Sequence, residues 1–167
     1  MEEVCRRAAE ETGRIVQVAN YNSPGQVVIS GHGEALDRAV QLAEAAGARR
    51  VTRLAVSIAA HSPLMAAIVD EYRDAVAAAV ILPAVTTVVA NVTACPLADV
   101  DAIRREMVDQ LTCSVRWVAS VEYMAAQGVT QCLELGPKEV LTGLMPRISK
   151  EIRATACGTV QAVQALV

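Results

Sequence analysis

The sequence predicts an α/β fold in two unequal parts. Short β-branched or alternating apolar runs are bounded by Gly, Pro and Asn, as strands are. Ala-rich segments with helical periodicity lie between them. Near residue 58 the order changes from α-β-β-α-β to a regular alternation of strand and helix, which indicates an α/β layer. The chain has 167 residues, enough for one ordinary domain or two small ones. Its 53% hydrophobic content supplies a core, but with no Phe and one Trp that core must pack from small side chains.

In the first part, residues 2–11 read as a helix with Val4, Ala8 and the Arg7 stem on one side, stopped by Gly13. Residues 15–19 form a strand, Asn22-Ser23-Pro24-Gly25 a turn and residues 26–30 the returning strand, broken by Gly31-His32-Gly33. A helix over 34–46 follows, with Leu36, Ala39, Val40 and Ala43 inward and Gly47 as its stop. Residues 50–58 are expected to return as a strand. That order is a ferredoxin-like split βαβ unit lacking its first strand, so the chain is expected to be a fragment or to have its complement elsewhere.

The second part opens with a long helix over 63–80 and a β-branched strand over 85–92. Asp99 or Asp101 caps a helix through Leu111, another helix runs over 115–127, and Gly128 ends it. Residues 131–135 read as a short buried strand and Gly136-Pro137 as a turn. A helix over 138–150 is kinked near Pro146, and a strand over 153–156 and a short terminal helix close the chain. The expected boundary divides residues 1–58 from 59–167.

Charge and cysteines exclude several classes. A net charge of −3 gives no footprint for nucleic acid. No uninterrupted apolar run reaches the roughly 18 residues a membrane helix needs; residues 76–92 come closest, but Pro83 and the Thr86-Thr87 pair interrupt them. The acidic start, Met1-Glu2-Glu3, does not read as a signal peptide, and none is expected. Five scattered cysteines without a Cys-X-X-Cys pair, and two histidines, fit no zinc spacing and read as reduced thiols of a cytoplasmic protein. Neither a metal nor a cofactor is expected.

His61 is the residue best placed for chemistry. It follows the apolar run Val56-Ser57-Ile58-Ala59-Ala60 and precedes Ser62-Pro63, a helix start, where a general base can be held rigidly. On the residues alone, a lone histidine after an apolar strand is more often structural or merely exposed, and His32 reads as solvent-exposed. Gly31-His32-Gly33 is not a nucleophile elbow, because glycine stands where serine is required, and no Gly-X-Ser-X-Gly occurs anywhere. Gly136-Pro137-Lys138 lacks P-loop spacing. Asn20, Asn22 and Gln26 surround one hairpin, where turn chemistry explains amides. Gln110 lies near a helix end, Cys113 is the one cysteine beside it, and Arg49, Arg50 and Arg53 form a basic cluster that is either solvated or docks an acidic partner.

Together these pieces closely resemble the malonyl-CoA:acyl carrier protein transacylases. The match runs in order from Asn20-Tyr21-Asn22-Ser23-Pro24-Gly25-Gln26 through Gly31 to His61-Ser62-Pro63-Leu64-Met65 and Asn91-Val92-Thr93. It continues with Gln110-Leu111, Val115-Arg116-Trp117, Ser120-Val121-Glu122-Tyr123-Met124 and Gly136-Pro137-Lys138 to Leu144. The resemblance implies a large α/β-hydrolase-like subdomain carrying an inserted ferredoxin-like one, of which this chain holds the C-terminal portion. It implies a ping-pong transfer of malonyl from CoA to the phosphopantetheine thiol of acyl carrier protein, with no cofactor. His61 matches the catalytic base, and Gln110 matches the residue whose backbone carbonyl holds the imidazole. Asn20, Asn22 and Gln26 match a segment beside the substrate cleft, and Arg49, Arg50 and Arg53 become carrier-protein docking candidates. The family's serine nucleophile, its malonyl-pairing arginine and an oxyanion-hole glutamine have no counterpart here, so the missing N-terminal portion is an expected partner and the chain alone is expected to be inactive. Ala60, Cys113-Ser114 and Gly136-Pro137-Lys138 depart from the family's usual aromatic residue, Ser-Pro and Gly-Pro-Gly-Lys. A non-catalytic module that docks carrier protein and a polyketide-synthase-type acyltransferase are the rival readings.

Overall fold

The computed structural model describes residues 1–165. Helix α1 (Glu2–Thr12) places Glu2 and Glu3 at its positive end and stops at Gly13, whose left-handed φ of 65° lets its N–H donate to the Ala9 carbonyl at 2.8 Å. Strands β1 (Val16–Ser23) and β2 (Gln26–Gly31) form an antiparallel hairpin. Gly31 closes it against the opposite strand, where a Cβ would lie 2.3 Å from the Ile15 carbonyl oxygen. Helix α2 (Gly33–Ala45) then packs with α1 against the hairpin. Cys5 and Ala8 of α1, Val16 and Val18 of β1, and Ala35, Ala39 and Leu42 of α2 form one buried core. Small side chains at the helix contacts allow close approach, and each buried valine or leucine contributes roughly 1.5–3 kcal/mol.

Two expected strands do not form. Residues 50–58 and 85–92 are irregular, with only an isolated bridge between Val89 and Pro96. A β-branched run becomes a strand only when a neighbouring backbone continues its ladder bonds. Among the described residues the first segment has no bridge, and the second has only the one at Pro96, where the Ala90 N–H donates to the Cys95 carbonyl and the Leu97 N–H to the Val88 carbonyl, both at 2.9 Å. The hairpin is therefore a two-stranded sheet, and the expected third strand of the first part is absent.

The long helix expected over 63–80 is a 3-10 helix (Pro63–Ile68) followed by α3 (Val69–Ala78). Helix α4 (Val100–Asp109) is capped by Asp99, whose carboxylate accepts from the Ala102 N–H at 2.7 Å. After α5 (Trp117–Ala126), strand β3 (Gln131–Leu135) pairs in parallel with β4 (Arg153–Cys157) across a crossover carrying α6 (Val140–Ile148). Pro146 lies in the last turn of α6, which ends at Ile148. Helix α7 (Val160–Gln164) follows β4. Val121, Met145 and Ile152 form a second core beside Trp117 and Met124. Strand β3 is not buried as expected: Leu133 is 52% and Leu135 73% exposed, and β4 is the one strand that pairs with it among the described residues.

The two parts meet along β1. A bulge sets Ala19 out of register with β2, and the Ala19 carbonyl accepts instead from the Val115 N–H at 2.8 Å, while the Tyr21 N–H donates to Val115 at 2.9 Å. Ser114 Oγ donates to the Val18 carbonyl at 2.5 Å. Residues 114–115 thus line the free edge of the hairpin and fix the segment after α4 against the first core.

Candidate active site

His61 stands at the junction expected for it, although irregular chain rather than a strand leads into it. Ser62 is fully buried and caps the 3-10 helix: its hydroxyl accepts from the Leu64 N–H at 3.3 Å and donates to the Ala59 carbonyl at 2.8 Å. Pro63 at the first helical position needs no N–H partner. This tight turn drives His61 into the left-handed region, with φ 56°. For a residue with a Cβ that conformation costs about 1–3 kcal/mol and persists only where surrounding contacts over-determine it.

Those contacts are identifiable. The His61 Nδ1 atom lies 2.6 Å from the Gln110 carbonyl oxygen. A carbonyl only accepts, so Nδ1 carries the proton and the lone pair of the neutral ring is on Nε2. Gln110 is the C-cap of α4, and the last carbonyls of a helix have no intrahelical donor, which leaves this one free for the imidazole. It also lies at the negative end of α4, so charge gained by the ring on taking a proton is met by the helix dipole. Near the C-terminal end of a helix exposure is the default, yet Gln110 is half-buried.

Behind Gln110 a second layer of bonds forms. Asn91 Nδ2 donates to Gln110 Oε1 at 3.2 Å. The Asn91 and Val92 N–H groups donate to one Glu106 carboxylate oxygen at 2.6 and 3.1 Å. The Arg116 N–H donates to the Asn91 carbonyl at 2.8 Å. On the opposite side, Gln17 Nε2 of β1 donates to the His61 carbonyl at 2.6 Å and to the Thr112 carbonyl at 2.9 Å. Gln17 and Glu106 escaped the reading of the sequence. The only signal for Gln17 was a polar residue inside the apolar run Ile15-Val16-Gln17-Val18-Ala19.

The other expected residues separate. Asn20 and Asn22 lie half-buried on β1, the strand that carries Gln17. Gln26 is exposed, and its Oε1 accepts from Arg147 of α6 at 3.2 Å. Arg49 and Arg50 are exposed in irregular chain, whereas Arg53 pairs with Asp37 at 2.7 Å. Cys113 is half-buried, its sulfur 3.9 Å from the Thr112 hydroxyl. His32 is half-buried rather than solvent-exposed: it precedes α2, and its Nδ1 accepts from the Ile15 N–H at 3.2 Å. Among the described residues, no three His, Cys, Asp or Glu side chains are grouped to hold a metal, and no helix is long and apolar enough to cross a membrane.

The pair formed by His61 and Gln110 can move a proton at Nε2; no nucleophile motif accompanies it in the sequence. Comparison with known proteins gives this pair a setting. The family model described as "Acyl transferase domain" matches residues 2–98. The malonyl CoA-acyl carrier protein transacylase of Escherichia coli K12 is 44% identical over 161 residues, which is 96% of this chain and 52% of the relative. An acyl carrier protein S-malonyltransferase from Vibrio cholerae superposes with a TM-score of 0.94 at 38% identity, covering 99% of this chain and 54% of that one. A malonyl-transacylase solved with its type II polyketide synthase acyl carrier protein superposes with a TM-score of 0.93 at 40% identity, covering 99% and 53%. The chain spans about half the length of the curated relatives it matches.

Proposed function

The chain belongs to the acyl transferase domain family, and from that membership we propose that it supplies the base half of a malonyl-CoA:acyl carrier protein transacylase. The observation that carries this reading is the 2.6 Å bond from His61 Nδ1 to the Gln110 carbonyl. In the first half-reaction, Nε2 takes the proton of a serine hydroxyl as the oxygen attacks the malonyl thioester carbon. The tetrahedral intermediate collapses, the carbon–sulfur bond breaks, and CoA leaves as a thiol with the proton returned by His61. In the second, His61 takes the proton of the phosphopantetheine thiol. The sulfur attacks the malonyl ester, and the serine oxygen leaves and is reprotonated. A carbonyl in place of a carboxylate suffices to orient the ring, since orientation needs an acceptor and not a charge.

The serine comes from polypeptide other than this sequence, which contains no Gly-X-Ser-X-Gly. We assign that role to the remaining portion of the enzyme. Large apolar side chains at Val56, Ile58, Val80, Leu82, Val85 and Leu135 are exposed, Val85 fully, and β3 pairs with a strand on one edge only among the described residues. A soluble monomer rarely leaves such surface uncovered. Residues 1–58 then belong to a ferredoxin-like small subdomain whose first strand lies elsewhere. Residues 59–167 belong to the C-terminal part of an α/β-hydrolase-like one. Asn20, Asn22 and Gln26 border the substrate cleft. Arg49 and Arg50, with Arg53 partly neutralised by Asp37, dock an acidic carrier protein; the relative solved with its carrier protein supports that partner. The reading places a cytoplasmic reaction that needs no cofactor beyond its two substrates.

The missing nucleophile also favours a second reading, a module that docks carrier protein without transfer. The intact mass of the natively expressed protein, measured before and after incubation with malonyl-CoA, separates the two. The transacylase reading expects a species near twice the mass of this chain that gains a malonyl adduct, and no adduct in H61A. A native species with the mass of this chain that stays unlabelled sinks that reading and favours the docking module.

A further inference from the structure

Gln17 bridges the two segments that make the His61–Gln110 pair, and we propose that it is a positioning residue for the catalytic histidine. The proposal rests on the transacylase reading for its consequence, but not for its geometry. The two protons of one amide nitrogen go to two carbonyls: His61 at 2.6 Å and Thr112 at 2.9 Å. The first belongs to the residue that carries the base. The second is two residues beyond the carbonyl that receives the imidazole Nδ1–H. Gln17 therefore joins both ends of a hydrogen bond whose partners lie 49 residues apart in sequence.

Position 17 suits the task because β1 is held on both sides. Gln17 pairs with Ser30 on β2, and two residues away Ala19 bonds Val115. The amide thus projects from a strand tied to the helix-packed core, and it restrains His61, the one residue of the pair with a left-handed backbone. The role demands two donors on one atom. A glutamate has the same shape but presents only acceptors to two carbonyl oxygens. A leucine fills the volume with neither. A lysine reaches as far and donates to both.

The tautomers of the two histidines read this out without any catalysis. His61 holds its proton on Nδ1, against a carbonyl; His32 accepts at Nδ1 from the Ile15 N–H, so its proton is on Nε2. Long-range proton–nitrogen NMR of the labelled full chain, at about pH 9 where imidazoles are neutral, should show the two opposite patterns side by side. In Q17E and Q17L the His61 Nδ1–H pattern should collapse into exchange between both tautomers, with the His32 pattern unchanged. In Q17K it should persist. If Q17L also loses the His32 pattern it has unfolded, and the Q17E against Q17K contrast decides. The proposal is overturned if Q17E retains the wild-type His61 pattern, or if Q17K loses it as fully as Q17E does. A wild-type chain without the Nδ1–H pattern overturns the His61–Gln110 pair itself, and with it the transacylase reading.

Discussion

Replacing Glu106 by alanine removes the acceptor that fixes the Asn91 turn behind the histidine pair. One carboxylate oxygen takes the Asn91 N–H at 2.6 Å and the Val92 N–H at 3.1 Å. Hydrogen bonds to a charged group contribute about 1.5–3 kcal/mol each. Glu106 is half-buried, so water can partly replace what is lost, and the second bond is long. We expect E106A to cost about 2–3 kcal/mol. E106Q keeps an oxygen acceptor and loses only the charge, so it should cost about 1 kcal/mol, near the value of a neutral hydrogen bond. With a urea slope of about 2 kcal/mol per molar, the midpoint should fall by roughly 1 M in E106A and about half that in E106Q. Equilibrium unfolding followed by circular dichroism gives both numbers. A loss below about 0.5 kcal/mol in E106A, or equal losses in the two variants, would refute the claim that the charged acceptor organises this turn.

Burial of the Cys5 thiol in the first core raises it to about 11; at pH 8 roughly a thousandth is thiolate. Iodoacetamide should therefore label exposed Cys95 well before Cys5, and equal rates would contradict the packing of α1 against β1. The Glu134 carboxylate is held below its ordinary value of 4.5 by the backbone N–H groups of Thr142 and Leu141, which it accepts at 2.7 and 3.0 Å. A carboxyl group depressed in the fold adds stability above its unfolded value and loses it as pH falls through the folded one. Wild type should thus lose melting temperature on acidification below about pH 5 more steeply than E134Q; parallel profiles would remove Glu134 from the start of α6.

Where a signal was local, the chain could be read directly. Gly13 ends α1, Asp99 caps α4, Ser62-Pro63 opens a helical turn, and Pro24-Gly25 closes the hairpin, each because the backbone conformation is decided by a few neighbouring residues. The strands expected over 50–58 and 85–92 failed for the opposite reason. Their apolar patterns are real, but a strand is completed by a partner backbone that pattern alone does not supply. The same surplus of apolar residues emerges as exposed surface at Val56, Ile58 and Val85.

The site divides along the same line. From the sequence alone came the α/β class, the helix starts and stops, the family likeness, and the histidine and glutamine that carry it, because residue identity and order are enough for these. The family likeness already implied a backbone role for Gln110; only the tertiary structure decided where its carbonyl points, that His61 adopts a left-handed conformation, and that the Gln17 amide bonds both segments. Those bonds join residues 44, 49 and 95 positions apart. A carbonyl acceptor looks alike in every residue, and its direction is set by where a helix ends against a strand, so no spacing in the chain announces it.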